Sequence, residues 1–346
     1  MLTYVIAQFT GSGKTMEGMS IMPYRWGVIV GGVIIGIYVL MGGYAAVSVT
    51  DLVQGLLMAF VMIFFPIFAV IKAGGIGNLA RFLDTQGLLS LSGKDLALWG
   101  SIGYIVGTLG ISLGYPGMPH VVVRFITVRD TREARRAAFI SISWAILVLF
   151  GSVTLGIAVR YLLPNLADPE HALPSFAREF FHPVLAGVLL SAITAAIMST
   201  ADSQLMYSAT AVINDLWWRL KGGSLEATEE MKSRALVSYT RYVIAAMALV
   251  AMLIALLKVR FIYAFVLYAW SALGAAFSPL IILSLYWKGF NKWGGLASLI
   301  IGPMVTVIWH NIPILSSAIY ELVPAFFISL FSGWLVSLLT GKKEES

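Results

Sequence analysis

Long apolar runs separated by short polar stretches dominate the 346-residue chain. A helix needs about 20 apolar residues to cross the hydrocarbon core of a bilayer. The pattern predicts an all-α polytopic membrane protein with nine full spans, at 26–46, 50–72, 96–118, 137–163, 181–215, 236–257, 261–285, 294–311 and 317–340. A further apolar piece, residues 1–10, is about half the length of a span and is expected to be the end of a helix.

Composition excludes an ordinary soluble domain. Hydrophobic residues make up 59% of the chain and charged residues 12%, against roughly 45–50% and about 25% in soluble domains. The apolar runs are too long and unbroken for the alternating strands of a membrane β-barrel. The chain has no cysteine, which excludes disulfides and thiolate chemistry and leaves the redox compartment undetermined.

The basic residues predict the orientation of the chain. The net charge is +6, and alternation of the loops places the larger share of the 23 Lys and Arg residues on one side. By the positive-inside rule that side is cytoplasmic, so we expect an inner-membrane protein with a cytoplasmic C-terminus. The strongest local signal is an arginine-rich loop that contains Arg124, Arg129, Arg132, Arg135 and Arg136.

The most informative polar cluster lies inside the run 181–215. Ser199, Asp202 and Ser203 have the i, i+3, i+4 spacing of one helix face, and Thr200 adjoins them. Hydroxyl and carboxylate oxygens are ligands that hard cations such as Na⁺ prefer. A carboxylate inside a membrane is costly and usually marks an ion path. For the hydroxyls alone, interhelical hydrogen bonding is the alternative.

Asp51 stands at the start of the run 50–72. From the sequence, the favoured interpretation is an acidic residue at a helix N-terminus, stabilised by the helix dipole. The alternative is a second carboxylate that faces Asp202 across a cation.

The segment Gly114–His120 predicts a break near the end of the run 96–118. Its two prolines and two glycines cannot continue a regular helix. Transporters place broken backbone at binding sites, so Tyr115 is a candidate contact to a solute. A helix end at the membrane interface is the alternative.

Motifs of enzymes are lacking. The stretch Phe9–Thr15 looks like a phosphate-binding loop, but Gln8 stands where that motif needs glycine and no strand precedes it. The four histidines fall in separate loops and helix ends, outside any known catalytic pattern. We therefore expect a protein that is not an enzyme.

Four segments together resemble the sodium:solute symporter family, most closely its sodium/proline branch. They match that family in order and spacing, and the resemblance extends from about residue 3 to residue 340. The segments are Gly42–Asp51, Gly114–His120, His182–Thr200 and Tyr268–Pro279.

The resemblance implies the five-plus-five inverted-repeat fold and alternating access. It implies one transmembrane domain over 1–346, in which 1–72 is the remainder of the first repeat, 95–285 is the second, and 286–346 holds two helices and a short cytoplasmic tail. Family members have further helices before the one that residues 1–10 continue. We therefore expect a mis-called start, a split gene with a separate chain carrying those helices, a fragment or a pseudogene, and no transport by the chain alone.

The resemblance also implies the sites. The main sodium site takes the Ala196 carbonyl, Ser199 and Thr200, and a second site of some members falls on Asp51, Asp202 and Ser203. Substrate contacts of the proline branch match Tyr115 and Pro119, whereas Ile111 stands where that branch has tryptophan.

The implied function is Na⁺-coupled symport of a small organic solute. Na⁺ is the one cofactor expected, and the solute and the lipid bilayer are the expected partners, with no role for nucleic acid. Proline, another amino acid, a monocarboxylate or a vitamin all fit the sequence. A symporter-like membrane sensor module is the alternative of a different class.

Overall fold

The structure, a computed structural model, describes residues 1–41, 44–89, 98–217, 220, 229–257 and 262–341. Over these ranges the ordered elements are helices, and no strand occurs among them. Two 3₁₀ segments, Ile111–Gly117 and Pro169–His171, and a π-helical segment, Ala211–Trp217, interrupt or extend the α-helices. The α-helices are α1 (Leu2–Gly18), α2 (Tyr24–Met41), α3 (Tyr44–Lys72), α4 (Ile76–Thr85), α5 (Leu98–Gly110), α6 (Pro119–Ile126), α7 (Thr131–Leu162), α8 (Ala172–Phe180), α9 (Pro183–Thr210), α10 (Glu229–Ala255), α11 (Ile262–Tyr286), α12 (Lys292–Asn311), α13 (Pro313–Ala318) and α14 (Leu322–Thr340).

Local sequence signals begin several of these helices. Asn291 precedes α12, and its side-chain oxygen accepts hydrogen bonds from the backbone N–H groups of Trp293 and Gly294 at 3.0 and 3.1 Å. Asp130 in the same way accepts from Glu133 at the start of α7. Such caps satisfy the first N–H groups of a helix, which have no partner within it.

Eight helical segments of the described chain are long and apolar enough to cross a membrane. They correspond to eight of the nine predicted spans. The exception is the run 96–118, which the structure divides into α5, with 13 residues, and the 3₁₀ segment that follows it. The long run 181–215 continues as helix from Pro183 to Trp217, 35 residues, or about 50 Å at 1.5 Å per residue.

The N-terminal segment also differs from expectation. Helix α1 extends to Gly18 rather than ending near residue 10, so that Phe9–Thr15 lies within it. Lys14 is 3% exposed and its ammonium donates to Asp168 and Glu170, at 3.0 and 2.5 Å. The rejection of a phosphate-binding loop is thus confirmed, because the backbone is helical there and two carboxylates already hold the lysine.

Residues 1–82 and 135–265 form one compact unit. Helices α1, α2, α9 and α10 pack around an apolar core that includes Phe9, Val28, Ile35 and Leu205. A second core holds α3 with α7, α8 and α9, and its buried side chains include Phe65, Phe176 and Leu189. This packing places α9 between the two cores.

Residues 83–134 and 266–346 form the other unit. Helices α12 and α14 pack along small residues, which let two backbones approach closely. Ser298 donates to the Ser329 carbonyl at 3.2 Å, and Ser329 returns a bond to the Ser298 carbonyl at 3.1 Å. These reciprocal bonds satisfy both buried hydroxyls and fix the register of the two helices.

Candidate functional site

The predicted main sodium set lies on consecutive turns of α9. The Ser199 hydroxyl donates to the Ala196 carbonyl at 3.2 Å, and the Thr200 hydroxyl donates to the same carbonyl at 3.0 Å. Ser191 and Thr194, earlier in α9, make the same kind of bond, each to a different carbonyl. Two hydroxyl oxygens thus lie within hydrogen-bond distance of the Ala196 carbonyl oxygen, and hydroxyl and carbonyl oxygens are ligands that suit a hard cation.

Two members of the second predicted set, Asp202 and Ser203, lie further along the same helix. Asp202 is fully buried and Ser203 is 3% exposed. One Asp202 carboxylate oxygen accepts a hydrogen bond from the Ser203 backbone N–H. A carboxylate this deep in an apolar helix is costly to keep charged, which favours a cation as its functional counterpart.

Asp51 belongs to the body of α3, not to its N-terminus. The helix begins at Tyr44 and its first turn contains no acidic residue, so the favoured sequence interpretation of Asp51 as a dipole-stabilised helix start was wrong. The edge of the most apolar stretch is not the edge of the helix, because Tyr44–Thr50 is moderately apolar and continues it. The dipole effect is confined to the first turn and does not explain Asp51.

Asp51 and Asp202 have a common neighbour that the sequence did not reveal. Helix α3 packs against α9, and both carboxylates interact electrostatically with the hydroxyl of Tyr38 on α2. That hydroxyl also makes a short hydrogen bond with Thr50, the residue before Asp51. Three helices of one unit thus contribute to the surroundings of the two carboxylates.

The predicted break is present and begins earlier than the prolines. The α-helix ends at Gly110, Ile111–Gly117 is 3₁₀, Met118 is extended, and Pro119 restarts an α-helix as the first residue of α6. A helix resumes directly after the break, so the segment separates α5 from α6.

Helix α11 takes up two carbonyls of the break. The Trp270 indole N–H donates to the Ile111 carbonyl at 3.1 Å, and the Ser278 hydroxyl donates to the Gly114 carbonyl at 3.3 Å. The Tyr115 ring meets the Trp270 ring edge-on, with 4.8 Å between centroids. A Cβ at position 114 would lie 2.2 Å from the Trp270 nitrogen, so glycine is required for this approach.

Tyr115 remains half exposed, at 52%, which leaves its ring available to a ligand. Ile111 and Pro119 frame the break at its two ends. The α11 segment is part of the family resemblance, but its sequence pattern predicts no role for Trp270 or Ser278. The sequence signal for these two residues is that a tryptophan and a serine stand inside an apolar run that also contains a proline.

A separate ionic cluster stands at the end of α1. Glu170 accepts from Lys14 and from the backbone N–H of Ile262, the latter at 2.7 Å. Partial burial alone would raise the pKa of the Asp168 carboxyl. Its hydrogen bonds from the Glu170 backbone and the Lys14 ammonium outweigh this effect and lower the pKa below the ordinary value. This cluster ties α1, the 169–171 segment and the start of α11 together.

Comparison with known proteins gives one family and one fold. The model of the sodium:solute symporter family matches residues 1–302. The chain is 35% identical over 345 residues to the osmoregulated proline transporter OpuE of Bacillus subtilis, a match that covers 97% of this chain and 68% of that protein. It is 36% identical to the high-affinity proline transporter PutP of the same organism, over 97% of this chain and 70% of the relative.

A third relative and a solved structure are also similar to this chain. Sodium/proline symporter 2 of Staphylococcus saprophyticus is 33% identical, over 98% of this chain and 67% of its own length. A solved structure of a Na⁺-coupled sialic acid symporter superposes with a TM-score of 0.75 at 20% sequence identity, covering 98% of this chain and 73% of that one. The likeness confirms the predicted fold class, an all-helical polytopic transporter fold.

Proposed function

Because the chain belongs to the sodium:solute symporter family, we propose that in its source cell it takes part in coupling the inward movement of Na⁺ to the uptake of proline or another amino acid. The protein is a multi-pass membrane transporter and not an enzyme, and the relatives described above are named as transporters or symporters. The names of those three relatives support proline as the solute.

The observation that carries this proposal is the oxygen cluster of α9. Two hydroxyls converge on the Ala196 carbonyl, and the same helix holds the buried carboxylate of Asp202 one turn further on. We assign Ala196, Ser199 and Thr200 to the main sodium site and Asp51, Asp202 and Ser203 to a second one. Sodium binding would let the Ser199 and Thr200 hydroxyls turn their lone pairs to the ion, since each oxygen can accept as well as donate.

We assign the solute to the broken segment in the other unit. The Tyr115 ring is half exposed and braced edge-on by Trp270, and Ile111 and Pro119 mark the two ends of the break. Ile111, which stands where the proline branch has tryptophan, supplies an aliphatic contact for an apolar part of the solute. Tyr115 supplies an aromatic face and a hydroxyl, the combination used by sites that bind small amphipathic ligands.

Transport follows if Na⁺ and solute bind two states of the protein with different affinity. A ligand shifts a conformational equilibrium only by that difference, and alternating access needs one outward-open and one inward-open state. We place the protein in the inner cell membrane with its C-terminus in the cytoplasm, because the positive-inside rule favours that orientation.

The test uses right-side-out membrane vesicles from the source cells, with the gene intact, disrupted or carrying a substitution. We expect an inward Na⁺ gradient to drive accumulation of radiolabelled proline. Gene disruption should abolish this accumulation, and so should replacement of the Na⁺ gradient by a K⁺ gradient. Uptake of proline that survives disruption unchanged would overturn proline as the solute. If gene disruption instead abolished the Na⁺-driven uptake of a labelled monocarboxylate or vitamin, that compound would be the solute, and the proposal of Na⁺ coupling would stand.

Paired variants of α9 test the sodium assignment. Ser199→Ala removes one of the two hydroxyls at Ala196 and is expected to raise the Na⁺ concentration for half-maximal uptake at least about tenfold, the effect of losing one well-placed ion ligand (about 1.4 kcal/mol). Ser191→Ala is the matched control, because Ser191 makes the same helix bond, to Gly187 at 2.8 Å, on an exposed face. Equal effects of the two substitutions would show that Ser199 is structural.

A further inference from the structure

Tyr38 lies where three helices of one unit meet. It extends from α2, which packs against α9, its ring packs against the apolar core that α2 shares with α1, α9 and α10, and its hydroxyl bonds Thr50 on α3. Asp51 directly follows Thr50. Tyr38 is therefore next to the turn of α3 that carries Asp51, and its helix packs against the helix that carries Asp202.

The direction of the hydrogen bond follows from proton counting. Thr50 donates its hydroxyl proton to the Val47 carbonyl at 2.9 Å. A hydroxyl has one proton to donate and two lone pairs that accept, so the Tyr38 O–H is the donor to Thr50. The result is a chain of bonds from Tyr38 through Thr50 to the α3 backbone, and such chains strengthen each member.

This bond restrains the turn of α3 that carries Asp51. Two carboxylates near each other repel when both are charged and no cation lies between them. A cation site also needs its ligands held to within about 0.5 Å of their bound geometry by groups around them. The Tyr38–Thr50 bond connects α3 to α2, and the packing of α2 against α9 extends that connection to the helix of Asp202.

We propose that Tyr38 is a positioning residue for cation binding at Asp51 and Asp202, acting through its hydrogen bond to Thr50. Tyr38 holds the two carboxylates within reach of one Na⁺ and is not itself a ligand. The inference rests on the proposed function, because it concerns the second sodium set of that proposal.

The test measures Na⁺ and solute affinities separately in right-side-out vesicles of the source cells, with labelled proline as the probe. Tyr38→Phe and Thr50→Val each remove the bond and are expected to raise the Na⁺ concentration for half-maximal uptake by about three- to tenfold, the range of one interhelical hydrogen bond in a membrane. The KM for proline at saturating Na⁺ should change less than about twofold. The double variant should add little to either single one, because all three lose the same bond.

Tyr24→Phe is the matched control. Tyr24 is on the same helix and also loses a buried hydrogen bond between helices, to the Ala255 carbonyl at 2.7 Å. Tyr24 lies at the opposite end of α2 from Tyr38 and packs against Gly13 of α1. We expect this variant to retain the Na⁺ dependence of the wild type, although it loses a comparable bond.

Three results would overturn the inference alone: an unchanged Na⁺ dependence in Tyr38→Phe, an equal shift in Tyr24→Phe, or fully additive effects of the two single variants. If Tyr38→Phe does not reach the membrane, Thr50→Val decides the question, because it keeps the tyrosine. Absence of any Na⁺ dependence in wild-type vesicles would instead overturn the proposed function, and with it this inference.

Discussion

Trp270→Phe tests how the broken segment is held in the shape that binds solute. The change keeps an aromatic ring beside Tyr115 but removes the indole N–H that donates to the Ile111 carbonyl at 3.1 Å. That carbonyl has left the α-helical pattern, so the loss of its donor from α11 loosens the first turn of the break. The Tyr115 ring, whose centroid lies 4.8 Å from that of the Trp270 ring, would then pack against a ring that no hydrogen bond holds in place.

The size of the effect follows from the single bond removed. Interhelical hydrogen bonds in membrane proteins contribute about 0.6 kcal/mol on average and up to about 1.7 kcal/mol. If this energy holds the break in its binding conformation, the KM for solute rises by about threefold to about fifteenfold. The Na⁺ dependence should stay unchanged, because the sodium sets belong to the other unit.

Trp309→Phe controls for the general loss of an indole hydrogen bond. Trp309 lies in the same unit and donates to the Ile319 carbonyl, also at 3.1 Å, and not to a carbonyl of the break. Uptake of labelled proline in vesicles gives the KM, and thermal unfolding of the detergent-purified protein gives the stability. We expect both variants to lose similar stability and Trp270→Phe alone to raise the KM. Equal KM values in the two variants would refute the reasoning.

Three further predictions address packing, acid stability and charge. Gly294→Ala places a Cβ 2.4 Å from the Gly333 carbonyl oxygen and should lower the free energy of unfolding by about 1–3 kcal/mol, which a lower melting temperature would report. The control is Gly295→Ala, which should melt like the wild type because the nearest neighbour of its Cβ is 3.7 Å away. Hydrogen bonds outweigh burial at Asp168 and lower the pKa of its carboxyl below 3.8. The charged carboxylate therefore stabilises the fold above that pH, and this contribution disappears as the pH falls through the lowered pKa. Below about pH 5, the melting temperature of Asp168→Asn should therefore depend less on pH than that of the wild type. Asp202→Asn should weaken Na⁺ activation of uptake at least about tenfold, and an unchanged Na⁺ dependence would exclude this carboxylate as a ligand.

The amino-acid sequence was sufficient for the class of the protein and for the polar turn of α9. Runs of about 20 apolar residues specify membrane helices because the bilayer leaves backbone groups no partner outside the helix. Ser199, Asp202 and Ser203 share a face by helical spacing alone. The break was predicted too, because proline and glycine act on the backbone locally.

Sequence reasoning failed where a property depends on more than the local chain. Hydropathy placed Asp51 at the start of a run, but helix α3 begins at Tyr44, since a helix needs hydrogen-bonded turns and not maximal apolarity. The apolar run 96–118 predicts one span, but the backbone turns to 3₁₀ at Ile111, where side chains of α11 donate to the freed carbonyls.

The sequence by itself thus determined a membrane-spanning helical chain, its family resemblance and the side chains on α9, because these depend on composition and on spacing within one helix. The tertiary structure alone revealed that Trp270 holds the Ile111 carbonyl across 159 positions and that Tyr38 bonds Thr50, the residue before Asp51. Periodicity identifies which face of a helix is polar or apolar, but it does not encode which distant helix packs against that face. Partners between helices are therefore decided by packing and hydrogen bonding in the folded protein.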